Sequence, residues 1–321
     1  MEPINLTGIV TALAEKPHAK AYLSEQRAIG ATPLEGEAPK TSEDRQIVQI
    51  SGRFISDELR NLGVMGRTLS ENQVHFVSLD TRNKFMSDVP SCASYEPISH
   101  AAYIVTTDHT RVDNIVRTTE EMLHGATQQS YRFYPKEKRI DPLKSGYRNR
   151  ARAGKDLTPF FIGLDEGVIN IMKADIIRKH LPELAQALSL LPEEHAQLSE
   201  PSEHSDYPLF RDVTQIIMRN IADQRHIPYE KIYDEFKRGL FQEQPRAPIM
   251  IEQSYGKQGV EILAYLGIVN PEHDQRIKTY FSTGNQQERE RLGQTILTDT
   301  PQEVRQSYQT LGKDQLFVVR G

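Results

Sequence analysis

Apolar residues recur at helical spacing between residues 110 and 126. One face of this stretch starts at Val112 and continues at i+3, i+4, i+7, i+10, i+11 and i+14. These positions are Ile115, Val116, Thr119, Met122, Leu123 and Ala126. Thr110 followed by Asp113 resembles a capping box, with Asp in the place of the usual Glu or Gln. The pattern predicts an amphipathic helix of about four turns that begins after Thr110.

The pattern on either side predicts strands before this helix and mostly helices after it. Runs rich in β-branched and aromatic residues predict strands at 47–50, 74–79 and 102–105. Apolar residues at helical spacing predict further helices at 164–180, 209–224, 228–241 and 259–266. A short strand is predicted at 316–319, and the basic, turn-rich stretch 127–160 is predicted to be a loop.

These elements predict an α+β chain with four successive parts. Residues 1–45 are interpreted as an N-terminal arm and flexible linker, because 28–45 is rich in Gly, Pro, Thr and Glu. Residues 46–190 form the predicted α+β domain and 205–270 a helical subdomain. Residues 271–321 form a charged, Gln-rich C-terminal extension.

Composition narrows the classes of partner. The 39 Lys and Arg against 44 Asp and Glu give a net charge of −5, which offers no electrostatic reason to expect nucleic acid. Arg148, Arg150 and Arg152, with tyrosines nearby, could suit a single strand, but a solvated loop explains them better in an acidic chain. No signal peptide or apolar run of membrane-spanning length is seen, so a cytoplasmic protein without a membrane partner is expected. The single cysteine, Cys92, excludes a Cys₂ or Cys₄ zinc site.

Candidate chemistry lies in the predicted helix at 110–126. Glu120 and His124 are four residues apart and therefore share a helical face, which is the spacing at which two side chains of one helix can bind a metal ion. Glu121 lies between them, where metallohydrolases carry a glutamate that takes a proton from water. A third ligand would come from a later helix, and the candidate is Glu166 in the sequence Asp165-Glu166-Gly167.

Taken in this order, the motifs resemble those of the gluzincin, or thermolysin-like, zincin metallopeptidases. That family carries HExxH on its active-site helix and a downstream NExxxD-like or NEGxxE-like motif. Here Glu120 to His124 match HExxH at Glu121 and His124, and Glu166 and Gly167 match the NEG part. The resemblance covers about residues 95–180. It implies a zincin-like small mixed sheet packed on the active-site helix, with the 102–105 strand as the edge strand that holds peptide.

The resemblance also implies roles for individual residues. Glu121 would be the general base, and Glu120, His124 and Glu166 would hold Zn²⁺. Tyr147 or Arg148 could donate to a developing oxyanion. His100 and His109 flank the 102–105 strand and are candidates for a replacement nitrogen ligand.

The chain departs from the family at position 120, where glutamate replaces the first histidine. An extra carboxylate makes a bound metal a weaker Lewis acid and suits Mn²⁺ or Fe²⁺ better than Zn²⁺. We therefore expect a metallopeptidase-like protein with a degenerate site that holds Zn²⁺, Mn²⁺ or Fe²⁺, or little or no metal. We expect its peptidase activity to be reduced or absent and its ligand to be a peptide or protein. The alternatives are an active metal-dependent peptidase and a non-catalytic helical interaction protein without metal. Glu120→His is expected to raise zinc affinity.

Each candidate residue also has a purely structural explanation. Glu120 and Glu121 could lie on a solvated helix surface. His124 could cap the last carbonyls of its helix, and Asp165 and Glu166 could simply favour a helix N-terminus.

Overall fold

The computed structural model describes residues 16–64, 68–85, 93–106, 109–134, 139–153, 156–200, 207–242 and 246–314. Over these ranges the chain is mixed α+β, and helices predominate over two small sheets. This agrees with the predicted class. The described helices do not include one that is long and apolar enough to cross a membrane.

Helices form most of the described chain, and the strands lie between residues 74 and 160. The helices are α1 (Lys16–Gly30), α2 (Ser42–Asn61), α3 (Leu79–Phe85), α4 (Arg111–Ala126), α5 (Ile162–Leu188), α6 (Pro192–Ser199), α7 (Pro208–Arg225), α8 (Tyr229–Phe241), α9 (Arg246–Ala264), α10 (Pro271–Ser282), α11 (Gln286–Asp299) and α12 (Gln302–Asp314). The strands are β1 (Val74–Val77), β2 (Ala93–Glu96), β3 (Ala101–Val105), β4 (Gln129–Tyr134), β5 (Arg139–Ser145), β6 (Arg148–Ala153) and β7 (Asp156–Phe160).

The chain divides into two compact units. The first comprises residues 1–142 and 171–205, and the second comprises residues 143–170 and 206–321. Helix α5 therefore begins in one unit and continues in the other.

A three-stranded sheet of order β1-β3-β2 lies in the first unit. β3 is parallel to β1, with Val74 opposite Ala102, and antiparallel to β2, with Ala93 opposite Ile104. The prediction that 102–105 is an edge strand was therefore wrong. All five residues of β3 are buried, as expected of a central strand, and β2 takes the end position among the described strands.

Helices α2 and α4 pack together in the first unit, and α4 also packs on β2 and β3. The run at 47–50, predicted as a strand, lies inside α2 instead. Its buried residues recur with helical period over the whole helix, from Ile47 and Val48 through Phe54 and Ile55 to Leu59. A capping box between Thr41 and Asp44 starts the helix. The longer helical pattern outweighs the strand preference of a four-residue β-branched run.

The segment predicted as a flexible linker is partly ordered. α1 extends to Gly30, and the buried Glu37 side chain contacts His75 on β1, with 2.7 Å between Glu37 Oε2 and His75 Nδ1. His75 Nε2 lies 2.8 Å from the carbonyl oxygen of Gly30. His75 thereby links this segment to β1.

A second sheet has the order β4-β5-β6-β7, so the predicted loop at 127–160 was wrong. β6 and β7 form an antiparallel pair, with Asn149 opposite Phe160 and Ala153 opposite Asp156. Arginines alternate with smaller residues along β6, which is the period of a strand. The many charged residues of this stretch made the alternation difficult to recognise in the sequence.

The remaining predicted helices are present, with longer bounds in two cases. The 209–224 pattern corresponds to α7, and Pro228 precedes α8 as its N-cap. α5 extends beyond 164–180 at both ends. α9 begins at Arg246, well before the predicted start at 259, ends at Ala264, and contains a break at Gly256, where φ is 71°. Three helices, α10 to α12, occupy much of 271–321. The strand predicted at 316–319 and Cys92 lie outside the described residues.

Candidate metal centre

The last two turns of α4 bury charged side chains. Glu120, Glu121 and His124 are only 7, 8 and 5% exposed. The capping box at Thr110 fixes the start of this helix, and Thr127 donates its backbone N–H and its hydroxyl to the carbonyl of His124 at the end. The explanation of the two glutamates as solvated surface residues was therefore wrong.

The first turns of α5 bury a second polar set. Asp165, Glu166 and Asn170 are buried, and the Asn170 amide donates to the carbonyl of Glu166 at 2.9 Å. Gly167 lets this helix approach α7 closely, because a Cβ there would lie 2.1 Å from Thr214 Oγ1. The glycine of the Asp165-Glu166-Gly167 motif thus has a packing role.

Side chains from α4 and α5 converge. One ligand atom each of Glu120, His124 and Glu166 lies within 4.8 Å of the others. Ligand atoms bound to one tetrahedral ion at about 2.1 Å would be about 3.4 Å apart, so small side-chain movements would bring the three onto an ion. Two carboxylates and an imidazole are ligand types that Zn²⁺, Mn²⁺ and Fe²⁺ accept. The donor set therefore fits a divalent cation.

Lys173 pairs with Glu120. The lysine lies on α5, is 0% exposed, and its Nζ is 2.6 Å from Glu120 Oε2. Lys173 follows Glu166 by seven residues, or about two helical turns, which places both on the same face of α5. Sequence analysis missed this residue. The available signal was a single cation within the apolar run from Val168 to Ile177.

Arg148 on β6 pairs with both acids at the start of α5. Its Nε donates to Asp165 Oδ2 at 2.8 Å, and its second nitrogen, NH2, donates to Glu166 Oε1. Arg148 was predicted as an oxyanion donor, and the structure places its guanidinium on a predicted ligand instead. Asp165 was not among the predicted site residues.

Tyr147, the other predicted oxyanion donor, is buried and hydrogen-bonded within the chain. Its hydroxyl donates to the carbonyl of Phe236 in α8 at 2.7 Å, and its backbone N–H donates to Asp165 Oδ1 at 2.8 Å. Burial, together with the nearby carboxylates of Asp165 and Glu235, raises the pKa of the phenol well above its usual value. The residue anchors Asp165, and this geometry does not support the predicted oxyanion role.

The alternative nitrogen ligands lie elsewhere. His100 Nδ1 is 2.6 Å from the hydroxyl of Tyr95 on β2. Neither His100 nor His109 belongs to the Glu120, His124 and Glu166 set, which is the only such cluster within the described ranges. Arg150 lies on β6 opposite Pro159, within a paired strand and not in the solvated loop that was predicted.

Comparisons of the chain with family models, with curated proteins and with solved structures found no match.

Proposed function

We propose that the chain is a metallopeptidase-like protein that binds a divalent cation through Glu120, His124 and Glu166. The observation that carries the proposal is the convergence of these three buried side chains, which lie on two helices and are up to 46 residues apart in the sequence. Buried carboxylates are costly unless cations compensate them, so their convergence requires positive charge.

The charges of the site favour a doubly charged ion. Four acids are buried on α4 and α5: Glu120, Glu121, Asp165 and Glu166. Lys173 and Arg148 each pair with acids of this set. As a metal ligand, His124 would be neutral. A divalent cation would add positive charge beside Glu120 and Glu166, the two carboxylates of the ligand set.

Residues of the chain would provide the functions that the ion itself does not. When bound, the cation would supply Lewis acidity, which lowers the pKa of water. Glu121 follows the ligand Glu120 directly on α4 and would accept the proton that water loses. Arg148 would orient Glu166 through its hydrogen bond, as a neighbouring group fixes a metal ligand.

The proposed peptidase activity is reduced or absent. Glu120 adds a negative charge to the ligand set, which weakens Lewis acidity. Lys173 and Arg148 also compete with a metal ion for Glu120 and Glu166, because each forms an ion pair with a ligand carboxylate. The first effect raises the barrier to hydrolysis, and the second lowers the affinity of the site for the ion. The carboxylates favour Mn²⁺ or Fe²⁺ relative to Zn²⁺.

The proposed ligand is an extended peptide that pairs with β2. Among the described strands β2 lies at the end of its sheet, its four residues are half-buried, and it packs near α4. A peptide backbone can add to such a strand by hydrogen bonding. Substrate or ligand would then lie on the same unit as Glu121 and His124.

The first test measures metal content. Purified wild type should contain near-stoichiometric zinc, manganese or iron by elemental analysis, and His124→Ala should lose it because one of three ligands is gone. His195→Ala is the matched control, since His195 is exposed on α6. Equal metal in wild type and His124→Ala, or none in wild type even after incubation with each ion, would overturn the proposal.

A second test separates the active and inactive forms of the proposal. Peptide hydrolysis by metal-loaded wild type that is lost in Glu121→Gln would show a working peptidase. Metal binding without hydrolysis would show a site kept for binding peptide. Absence of metal would leave two alternatives, a metal-free pseudoenzyme that binds peptide and a helical interaction protein.

A further inference from the structure

We propose that Lys173 is an internal counter-cation that allows a glutamate to serve at position 120 of the metal site. This inference rests on the proposed metal-binding function. It assigns to Lys173 a positioning and selectivity role that acts through Glu120.

The first observation is the complete burial of the lysine. Lys173 has no exposed surface, and its ammonium lies 2.6 Å from Glu120 Oε2. A buried ammonium is tolerated when a carboxylate compensates it, and a buried carboxylate needs a cation in the same way. Each member of the pair therefore lowers the free-energy cost of burying the other.

The second observation is the place of Lys173 on α5. Two turns separate it from Glu166, so one face of one helix presents both a candidate ligand and the cation that binds the other candidate ligand. A surface pair on the same helix provides the contrast. Lys179 Nζ lies 3.3 Å from Glu58 Oε2, and the Lys179 side chain is 50% exposed, so water can replace that partner.

The charge of Lys173 also affects how the site would bind a metal ion. The Lys173 charge offsets the extra negative charge that Glu120 brings relative to histidine, so the three ligands taken together with Lys173 have the net charge of a two-histidine, one-carboxylate site. It also repels any ion bound by Glu120. Glu120→His alone would remove the carboxylate that pairs with Lys173 and would keep the lysine charge beside the ion. The gain in zinc affinity expected for that substitution therefore requires a second change at Lys173.

The test is a double-mutant cycle on the full chain, with Glu120→His, Lys173→Met and both together. In chelator, each single substitution removes one member of the buried Glu120–Lys173 ion pair and should lower the Tm by at least about 5 °C. In the double variant neither charge remains, and most of that loss should be recovered. Lys179→Met is the control and should change the Tm by less than about 1 °C.

The metal arm uses Zn²⁺ and Mn²⁺ alone as probes. Lys173→Met should bind both ions at least about tenfold more tightly than wild type, because a repelling charge is removed. The double variant should bind Zn²⁺ at least about tenfold more tightly than Glu120→His for the same reason. A role of Lys173 in packing alone would lower stability without tightening metal binding.

The outcomes separate the two proposals. Additive losses of Tm in the double variant, or unchanged affinities on removing Lys173, overturn the counter-cation role even if wild type binds metal. If no variant binds metal, the proposed metal function fails and with it the selectivity role, whatever the Tm cycle shows. Recovery of Tm together with tighter binding in both Lys173→Met variants supports the inference.

Discussion

Glu120 and His124 were identified from their spacing, because four residues on a helix always place two side chains on one face. Glu166 was identified by resemblance to a motif. Their partners, Lys173 and Arg148, were not identified as counter-ions, since ion pairing across 53 residues for Lys173 and 18 for Arg148 depends on tertiary structure. At the scale of residues, the sequence predicted the candidate ligands and not the charges that balance them.

Arg148→Met is expected to destabilise the protein, because it removes the cation that pairs with Asp165 and Glu166. Asp165 is fully buried, and breaking a buried pair from one side costs about 3–5 kcal/mol. Because the arginine side chain is partly exposed, we expect a smaller loss than that range, about 2–3 kcal/mol. Urea unfolding measures this loss of unfolding free energy.

Arg178→Met is the control, because it removes an exposed ion pair with Asp175 and should cost at most about 0.5 kcal/mol. Equal losses in the two variants would contradict the prediction.

Glu37 should make stability depend on acid pH. Burial acts to raise the pKa of its carboxyl, but hydrogen bonds from His75 and from the Leu34 backbone outweigh it, and the net pKa lies below its usual value of 4.5. A carboxylate with a lowered folded pKa stabilises the fold above its unfolded pKa and loses that contribution as pH falls through the folded one.

The measurement is Tm between pH 7 and pH 3 for wild type, Glu37→Gln and Glu35→Gln. The difference between wild type and Glu37→Gln should be largest near pH 7 and should shrink below about pH 4.5. Glu35 is exposed and serves as the control. A difference that stays constant over the whole range would show that the Glu37 charge has no part in stability.

At the scale of elements, prediction succeeded where one period dominated and failed where two signals overlapped. α4 was predicted with its capping box because its apolar spacing extends over the full helix. The run at 47–50 was mistaken for a strand because a four-residue window favours β-branched residues. β6 was mistaken for a loop because its charges were weighed more than its alternation.

Gly167→Ala tests the close approach of α5 to α7. A Cβ at Gly167 would lie 2.6 Å from the backbone oxygen of Phe210, which cannot move as a flexible side chain can. Overpacking of this kind costs about 1–3 kcal/mol, measured by chemical denaturation. Gly284→Ala is the control, since nothing lies within 4 Å of its added Cβ. A neutral Gly167→Ala would show that the two helices can separate without loss.

At the scale of the whole chain, the α+β class was predictable because strands were expected early and helices late. The division into units was not, because residues 171–205 belong with the N-terminal half and residues 143–170 with the C-terminal half. Periodicity is local and carries no information about which distant segments pack together. The strand order β1-β3-β2 could not be predicted from the sequence for the same reason.

Metal binding should stabilise the chain as a whole. An ion that binds only the folded state adds about 2.7 kcal/mol at a hundredfold excess over its Kd. Thermal unfolding with and without Mn²⁺ or Zn²⁺ should therefore show a higher Tm for wild type, and no shift for His124→Ala. A shift of equal size in both proteins would place the ion outside the candidate centre.

Helix α4 is fixed at both of its ends, by the capping box at Thr110 and Asp113 and by Thr127 at the carbonyl of His124. One residue inserted between Asp113 and Glu120 would turn everything beyond it by about 100°. Glu120, Glu121 and His124 would then all point away from the direction that they share in the present helix. Related chains that keep this site are therefore free to vary in loop length and in many side chains, but the count of residues from Thr110 to Thr127 must stay the same.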